Sequence, residues 1–386
     1  MAVAVKRMCR DMAYSSMGVP SNQNRPPRYE PQPRLDFSAN LDIVRGIAVL
    51  LVLLDHVLDV VASKHPLRGS HDYIGCSGRL GVLLFFVHTS LVLNFSLARL
   101  GTSGWELFRT FLVRRAFRLY PLSSVCILLV VLFGVPPTPL GHGAVSHSGD
   151  ALFSNLALTT DLTDSVVFLG PLWTLPAELQ MYVAMPILFM LLGRARSPWI
   201  ALGLWLLAAC VAWMQPEVAR RLSSIDFAPC FIAGIVAYTL SGRYARRIPG
   251  LLWMPVLLAM LSVFFIVQEA APYGYTNMPL EWVFCLALGL IIPLFQGSPL
   301  ATVNYMAHRL SRYSYGIYLF HAIALWVGCN VLGDWPEPMQ WIVALALLSV
   351  LSVGSYHLLE KPAIDFGVRL TQMAQRFTPS NSRHLT

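Results

Sequence analysis

Ten apolar stretches of membrane-spanning length alternate with short polar connections along the 386-residue chain. They run over about 41–61, 80–98, 117–134, 170–192, 198–214, 225–240, 251–267, 281–296, 313–332 and 339–359. An α-helix needs about 20 mainly apolar residues to cross a hydrocarbon core roughly 30 Å thick. The pattern therefore predicts an all-α fold, a polytopic membrane helical bundle of about ten transmembrane helices. Pro176, Pro186 and Pro229 interrupt the fourth and sixth stretches. Proline is tolerated inside a membrane bundle where neighbours satisfy the freed carbonyls. Residues 1–36 are polar, rich in Pro and Arg, and lack the apolar core of a signal peptide, so they are expected to be a disordered tail. The transmembrane domain is expected over 37–370 and a C-terminal tail over 371–386.

Composition agrees. Hydrophobic residues make up 56% of the chain and charged residues only 12%, against about 25% charged in a soluble domain. The charge distribution adds an orientation. Lys6, Arg7, Arg10, Arg25, Arg28 and Arg34 precede the first stretch. Arg99, Arg109, Arg114, Arg115 and Arg118 lie between the second and third. Later even-numbered loops carry Arg194, Arg196, Arg243, Arg246, Arg247, Arg309 and Arg312, and the end of the chain carries Lys361, Arg369, Arg376 and Arg383. The opposite loops carry only Lys64, Arg68, Arg79, Arg220 and Arg221. The positive-inside rule then puts both termini in the cytoplasm, as an even number of spans requires. This asymmetry accounts for the net charge of +8 without a nucleic-acid partner. The seven cysteines are scattered, without Cys-x-x-Cys or zinc spacing, so no metal site is expected. The connection 135–169 falls on the extracytoplasmic side; it has no Lys or Arg but holds Asp150, Asp161, Asp164, His142 and His147. A connection of that length covers a site, meets a polar acceptor, or is merely solvated.

Polar groups inside the apolar stretches point to chemistry. Arg45 and His56 are eleven residues apart, about 16 Å of helical rise and nearly a whole number of turns, so they share a face. With Arg45 at one interface, His56 lies near mid-membrane, where an ionisable group marks a functional site. Asp42 is spaced to pair with Arg45, and Asp59 to orient His56; Asp55 lies further round the helix. The competing role for such a histidine is an interhelical hydrogen bond. Arg115 and Arg118 share a face before the third span, with Tyr120 close by. Paired guanidiniums suit phosphates, although basic clusters also anchor lipid headgroups. Glu178 enters the fourth stretch with Gln180 and Tyr182 nearby, after Trp173 at an interfacial position. Tyr318 and His321 are spaced to face one cavity in the ninth.

Together these segments resemble the acyltransferase-3 family of integral membrane acyltransferases, in order, over about residues 36–370. The first stretch is similar to the family's leucine-aspartate-x-x-arginine-glycine opening, with Arg45 and His56 as its arginine and histidine. Gly81-Val82 with Phe85-Phe86, Arg115 to Pro121, Trp173-Thr174-Leu175 with Glu178 and Tyr182, Ser314 to His321, and the closing Glu360-Lys361-Pro362 resemble the rest. One segment departs. After the paired phenylalanines the family has leucine-serine-glycine-phenylalanine, and this chain has His88-Thr89-Ser90-Leu91. The change signals either looser helix packing or an altered acceptor pocket. Some members also carry an extracytoplasmic hydrolase-like domain; this chain leaves no room for one and is expected to act alone or with a separate partner.

The resemblance implies an O-acyltransferase of the bacterial inner membrane, with acyl-CoA, commonly acetyl-CoA, as donor substrate and no bound cofactor. It implies a hydroxyl acceptor on a carbohydrate such as an exported polysaccharide or lipopolysaccharide, or on a small molecule such as a macrolide, and glycan-assembly proteins as partners. On that reading Arg45, Arg115, Arg118 and Tyr120 bind the donor. His56 acts as general base or as acyl carrier, with Asp55, Asp59 and Glu178 in support. Trp173, Tyr182, Tyr318 and His321 hold the acceptor. The same buried polar groups also suit a proton-coupled transporter of a polar solute.

Overall fold

The computed structural model describes residues 38–65, 75–141, 148–192, 197–214, 222–244, 247–269 and 278–377. Outside them lie the expected tail 1–36, the residues beyond Phe377, the loop histidines His142 and His147, and Arg68, Arg194, Arg196, Arg220, Arg221 and Arg246.

The described chain is a helical bundle. In order it forms α1 (Ser38–Lys64), α2 (Cys76–Leu100), α3 (Gly104–Phe133), α4 (Gly149–Ala157), α5 (Thr174–Leu192) and α6 (Pro198–Met214). It continues with α7 (Ser223–Leu240), α8 (Trp253–Glu269), α9 (Met278–Ile291), α10 (Ala301–Trp326), α11 (Glu337–Ser355) and α12 (Lys361–Phe377). Each of the ten apolar stretches falls on a helix. Seven helical segments among the described residues are long and apolar enough to cross a membrane, and three more, in α6, α7 and α9, are shorter but apolar.

Two helices start well before their apolar stretches. α3 begins at Gly104 and α10 at Ala301. Hydropathy falls where Arg and polar residues appear, but arginine and most polar side chains do not stop a helix. The segment carrying Arg114, Arg115 and Arg118 is therefore fully helical. The last apolar stretch also continues: a π turn over Tyr356–Glu360 links α11 to α12, and α12 runs past residue 370 to Phe377. α12 packs on α3. The Phe366 and Phe117 rings are 5.2 Å apart, and Arg114 Nε donates to Thr371 Oγ1 at 2.9 Å.

α1 lies between α2 and α10. Its buried Asn40 pins it to the connection before α10, donating to the Gln296 carbonyl and accepting from the Ser298 amide, each at 2.9 Å. Close approach rests on small residues, the usual basis of helix packing in membranes. A Cβ at Gly81 of α2 would meet the Ala48 carbonyl of α1 at 2.6 Å. The departure at His88-Thr89-Ser90 does not loosen the bundle. Ser90 takes the place of the family glycine, and the facing residue is Gly234 of α7, where a Cβ would meet the Val87 carbonyl at 2.6 Å. The glycine that admits the contact sits on the partner helix.

The described part of the connection between α3 and α5 is held by specific contacts. The Ser148 hydroxyl caps α4, and the buried Asn155 side chain ties α4 to Val166 and Phe168. This connection also turns inward. Tyr120, thirteen residues or about 20 Å before the end of α3, donates to the Ala157 carbonyl at 3.2 Å. Tyr318, well inside α10, donates to the Pro171 carbonyl at 2.7 Å. Phe168 and Leu169 are fully buried. Irregular backbone at such depth persists only where protein buries it or where it lines a cavity.

Candidate active site

A cavity lies between α1, α2, α3, α5 and α10. Helical spacing assembles it. Arg115 and Arg118, one turn apart, both reach it, as do Arg45 from α1 and Glu178 and Tyr182 from α5. Tyr318 and Thr174 close its other end, joined through their hydroxyls at 2.7 Å.

The cationic end is held by specific contacts. Arg45 Nε donates to Ser314 Oγ at 2.7 Å. Arg115 Nη2 donates to Ser96 Oγ at 3.0 Å, and its guanidinium lies 5.3 Å from the Phe111 ring centre. Arg118 Nη1 is 3.3 Å from Glu360 Oε1. Tyr182 donates a short hydrogen bond to Glu178 Oε1. The charges nearest Arg45 are Arg118, Glu360 and Glu178. Three guanidiniums thus share two carboxylates in a region largely shut off from water. One positive charge is left over, which suits an anionic ligand.

Glu360 is the main site residue to which the sequence reading gave no role, although it opens the closing Glu360-Lys361-Pro362 motif. It is buried and ends the π turn before α12. π turns are rare and frequent at functional sites. Its other signal in the sequence was an acid closing an apolar stretch.

His56 and His321 form a second group. Their rings meet edge to face, with centroids 4.7 Å apart, on α1 and α10. His321 is 6.1 Å, ring to ring, from Tyr318, so the imidazole pair stands just beyond the tyrosine that closes the cavity. His56 Nδ1 lies 3.0 Å from the Val52 carbonyl, and His321 Nδ1 lies 2.7 Å from the Tyr318 carbonyl. A carbonyl only accepts, so Nδ1 carries the proton in both rings and Nε2 is left with its lone pair. His321 Nε2 is buried with no hydrogen-bond partner among the described residues.

Other expected site residues stand apart from the cavity. Asp55 is buried and accepts from the Gly75 amide and the Ser77 hydroxyl, both at 2.8 Å, at the start of α2. Asp59 lies one turn past His56, but the His56 Nδ1 bond goes to the Val52 carbonyl. Asp42 pairs with His308 at 3.0 Å instead of Arg45. Tyr120 points to the Ala157 carbonyl. Trp173 packs on Phe227, with ring centres 5.6 Å apart, beneath Arg79, which is itself bound by both oxygens of Glu281 at 2.8 Å.

Comparison with known proteins gives the family. Residues 38–357 match the acyltransferase domain family Acyl_transf_3. Nodulation protein 10 of Rhizobium leguminosarum bv. viciae is 24% identical over 88% of this chain and 96% of its own length. No solved structure matches the chain.

Proposed function

The chain belongs to the acyltransferase-3 family, and from that premise we propose that it moves an acyl group, acetyl in the simplest case, from cytosolic acyl-CoA to a hydroxyl of a carbohydrate acceptor at the bacterial inner membrane. The observation that carries this reading is the alignment of a three-arginine cavity end with a histidine pair whose Nε2 atoms are free of their own helices. Family membership also favours acyl transfer over proton-coupled solute transport.

In this reading Arg115 and Arg118 take the donor phosphates and Arg45 continues the positive path. The thioester reaches beyond Tyr318 toward the imidazole pair. His56 Nε2 removes the acceptor hydroxyl proton as the oxygen attacks the thioester carbonyl. The carbon–sulfur bond breaks, and the coenzyme thiolate recovers the proton from the imidazolium. Positioned general-base catalysis contributes about 10²–10⁴-fold. The route through an acyl-imidazole gives the same products in two steps.

The test uses membranes carrying the full chain and radiolabelled acetyl-CoA. Label is expected to move to glycan, and a macrolide supplied as competing acceptor tests the small-molecule alternative. His56→Ala is expected to lower transfer by about 10²–10⁴-fold while the protein remains inserted at normal abundance. Near-normal transfer by that variant removes His56 from the chemistry.

A further inference from the structure

Two residues of the segment that departs from the family pattern reach the cavity, and of these Thr89 keeps the hydroxyl of the family serine whereas His88 puts an imidazole in place of leucine. It is 4% exposed, yet it lines the cavity wall, and its Nδ1 is buried with no hydrogen-bond partner among the described residues. An unpaired buried nitrogen costs stability, so its presence asks for a partner. Its charged neighbours are Arg45 and Arg118.

Position along α2 says which part of a ligand passes it. Three residues before His88, about 4.5 Å of rise, Phe85 meets the Tyr318 ring with centres 6.0 Å apart. Eight residues after it, about 12 Å, Ser96 accepts from Arg115. His88 therefore stands between the arginine end and the tyrosine end. On the reading of this cavity as the donor path, the phosphates stop at the arginines and the thioester lies beyond Tyr318. The part between them is the pantetheine arm, a chain of amides with a hydroxyl. Guanidiniums only donate hydrogen bonds, whereas an imidazole offers an acceptor as well as a donor. An amide N–H passing Arg45 and Arg118 needs such an acceptor.

We propose that His88 binds the donor, hydrogen-bonding the amide- and hydroxyl-bearing arm between its phosphates and its thioester. This claim rests on the donor-path reading above, and the test separates the two. Binding of coenzyme A and of pantetheine, which lacks the nucleotide and its phosphates, is measured on the purified full chain. His88→Leu restores the family residue, and its unfolding midpoint reports folding. It is expected to weaken coenzyme A about tenfold, or ~1.4 kcal/mol, and pantetheine by the same factor. His88→Asn, which keeps a donor and an acceptor, is expected to recover most of the loss for both.

Three results overturn the proposal: unchanged binding by His88→Leu, a loss seen with coenzyme A but absent with pantetheine, or no recovery by His88→Asn. If the unaltered protein binds no coenzyme A, the donor-path reading itself fails and takes this inference with it.

Discussion

The cavity's arginine end and the imidazole pair beyond its tyrosine end are built on opposite electrostatic plans. At the arginine end, charged groups from three helices and a π turn face one another: Arg45, Arg115 and Arg118 against Glu178 and Glu360. Each guanidinium there takes a partner from another element, Ser314, Ser96 or Glu360. At the imidazole end each ring is fixed by its own helix, through a carbonyl one turn back, and the two rings meet only edge to face. A site that must hold a charged ligand is suited by cross-helix ion pairs that a ligand can rearrange. A site that must move a proton is suited by rings whose tautomers do not depend on the ligand. The difference separates binding in the cavity from chemistry at the pair beyond it, and mutations at the two places should have different signatures.

The sharpest way to break this contrast is at Arg118 and Glu360. Removing one member of a buried ion pair leaves the other uncompensated, which costs about 3–5 kcal/mol. Arg118→Leu or Glu360→Leu alone is expected to lower folded yield and the unfolding midpoint markedly. The double variant is expected to recover much of that stability, because two apolar side chains can replace a buried pair. It is not expected to recover coenzyme A binding. Recovery of both would reduce the arginine end to scaffolding.

Asp55 and His56 sharpen the contrast at the other end. They are neighbours in sequence with different tasks: Asp55 holds the start of α2 and His56 faces α10. Asp55→Ala is expected to cost about 1–3 kcal/mol, as leaving buried donors without their acceptor does, read as a lower unfolding midpoint. The protein that remains folded is expected to transfer label at near its normal rate. A loss as deep as that of His56→Ala would return Asp55 to the chemistry.

The legible and illegible parts of the site divide on the same physical line. The shared face of Arg45 and His56, and of Arg115 and Arg118, follows from the helical period alone. So do the apolar stretches, because bilayer thickness sets their length. Partners were less legible. Asp59 has the spacing to orient His56, but the Val52 carbonyl on the same helix takes that bond. Asp42 has the spacing to pair with Arg45, but His308 comes close enough from α10 to take it. Glu360 needs a π turn and the packing of α12 on α3 before it can meet Arg118. Local period predicts which face a side chain occupies, and only the packed bundle determines what waits on that face.

The smallest effect is expected at Tyr120, and it tests where the arginine end stops. Tyr120 follows Arg118 by two residues, which turns it about 200° around α3. Its hydroxyl meets the Ala157 carbonyl of the inward-turning connection, on a different face from the guanidiniums. If that contact only anchors α4, Tyr120→Phe removes one hydrogen bond and costs about 1 kcal/mol. Coenzyme A binding should then stay within twofold of normal, and the unfolding midpoint should fall slightly. A tenfold loss of coenzyme A affinity without a change in that midpoint would extend the donor site around the helix. It would also make α4 part of the donor site, since the Tyr120 hydroxyl is bound to the Ala157 carbonyl at the end of α4.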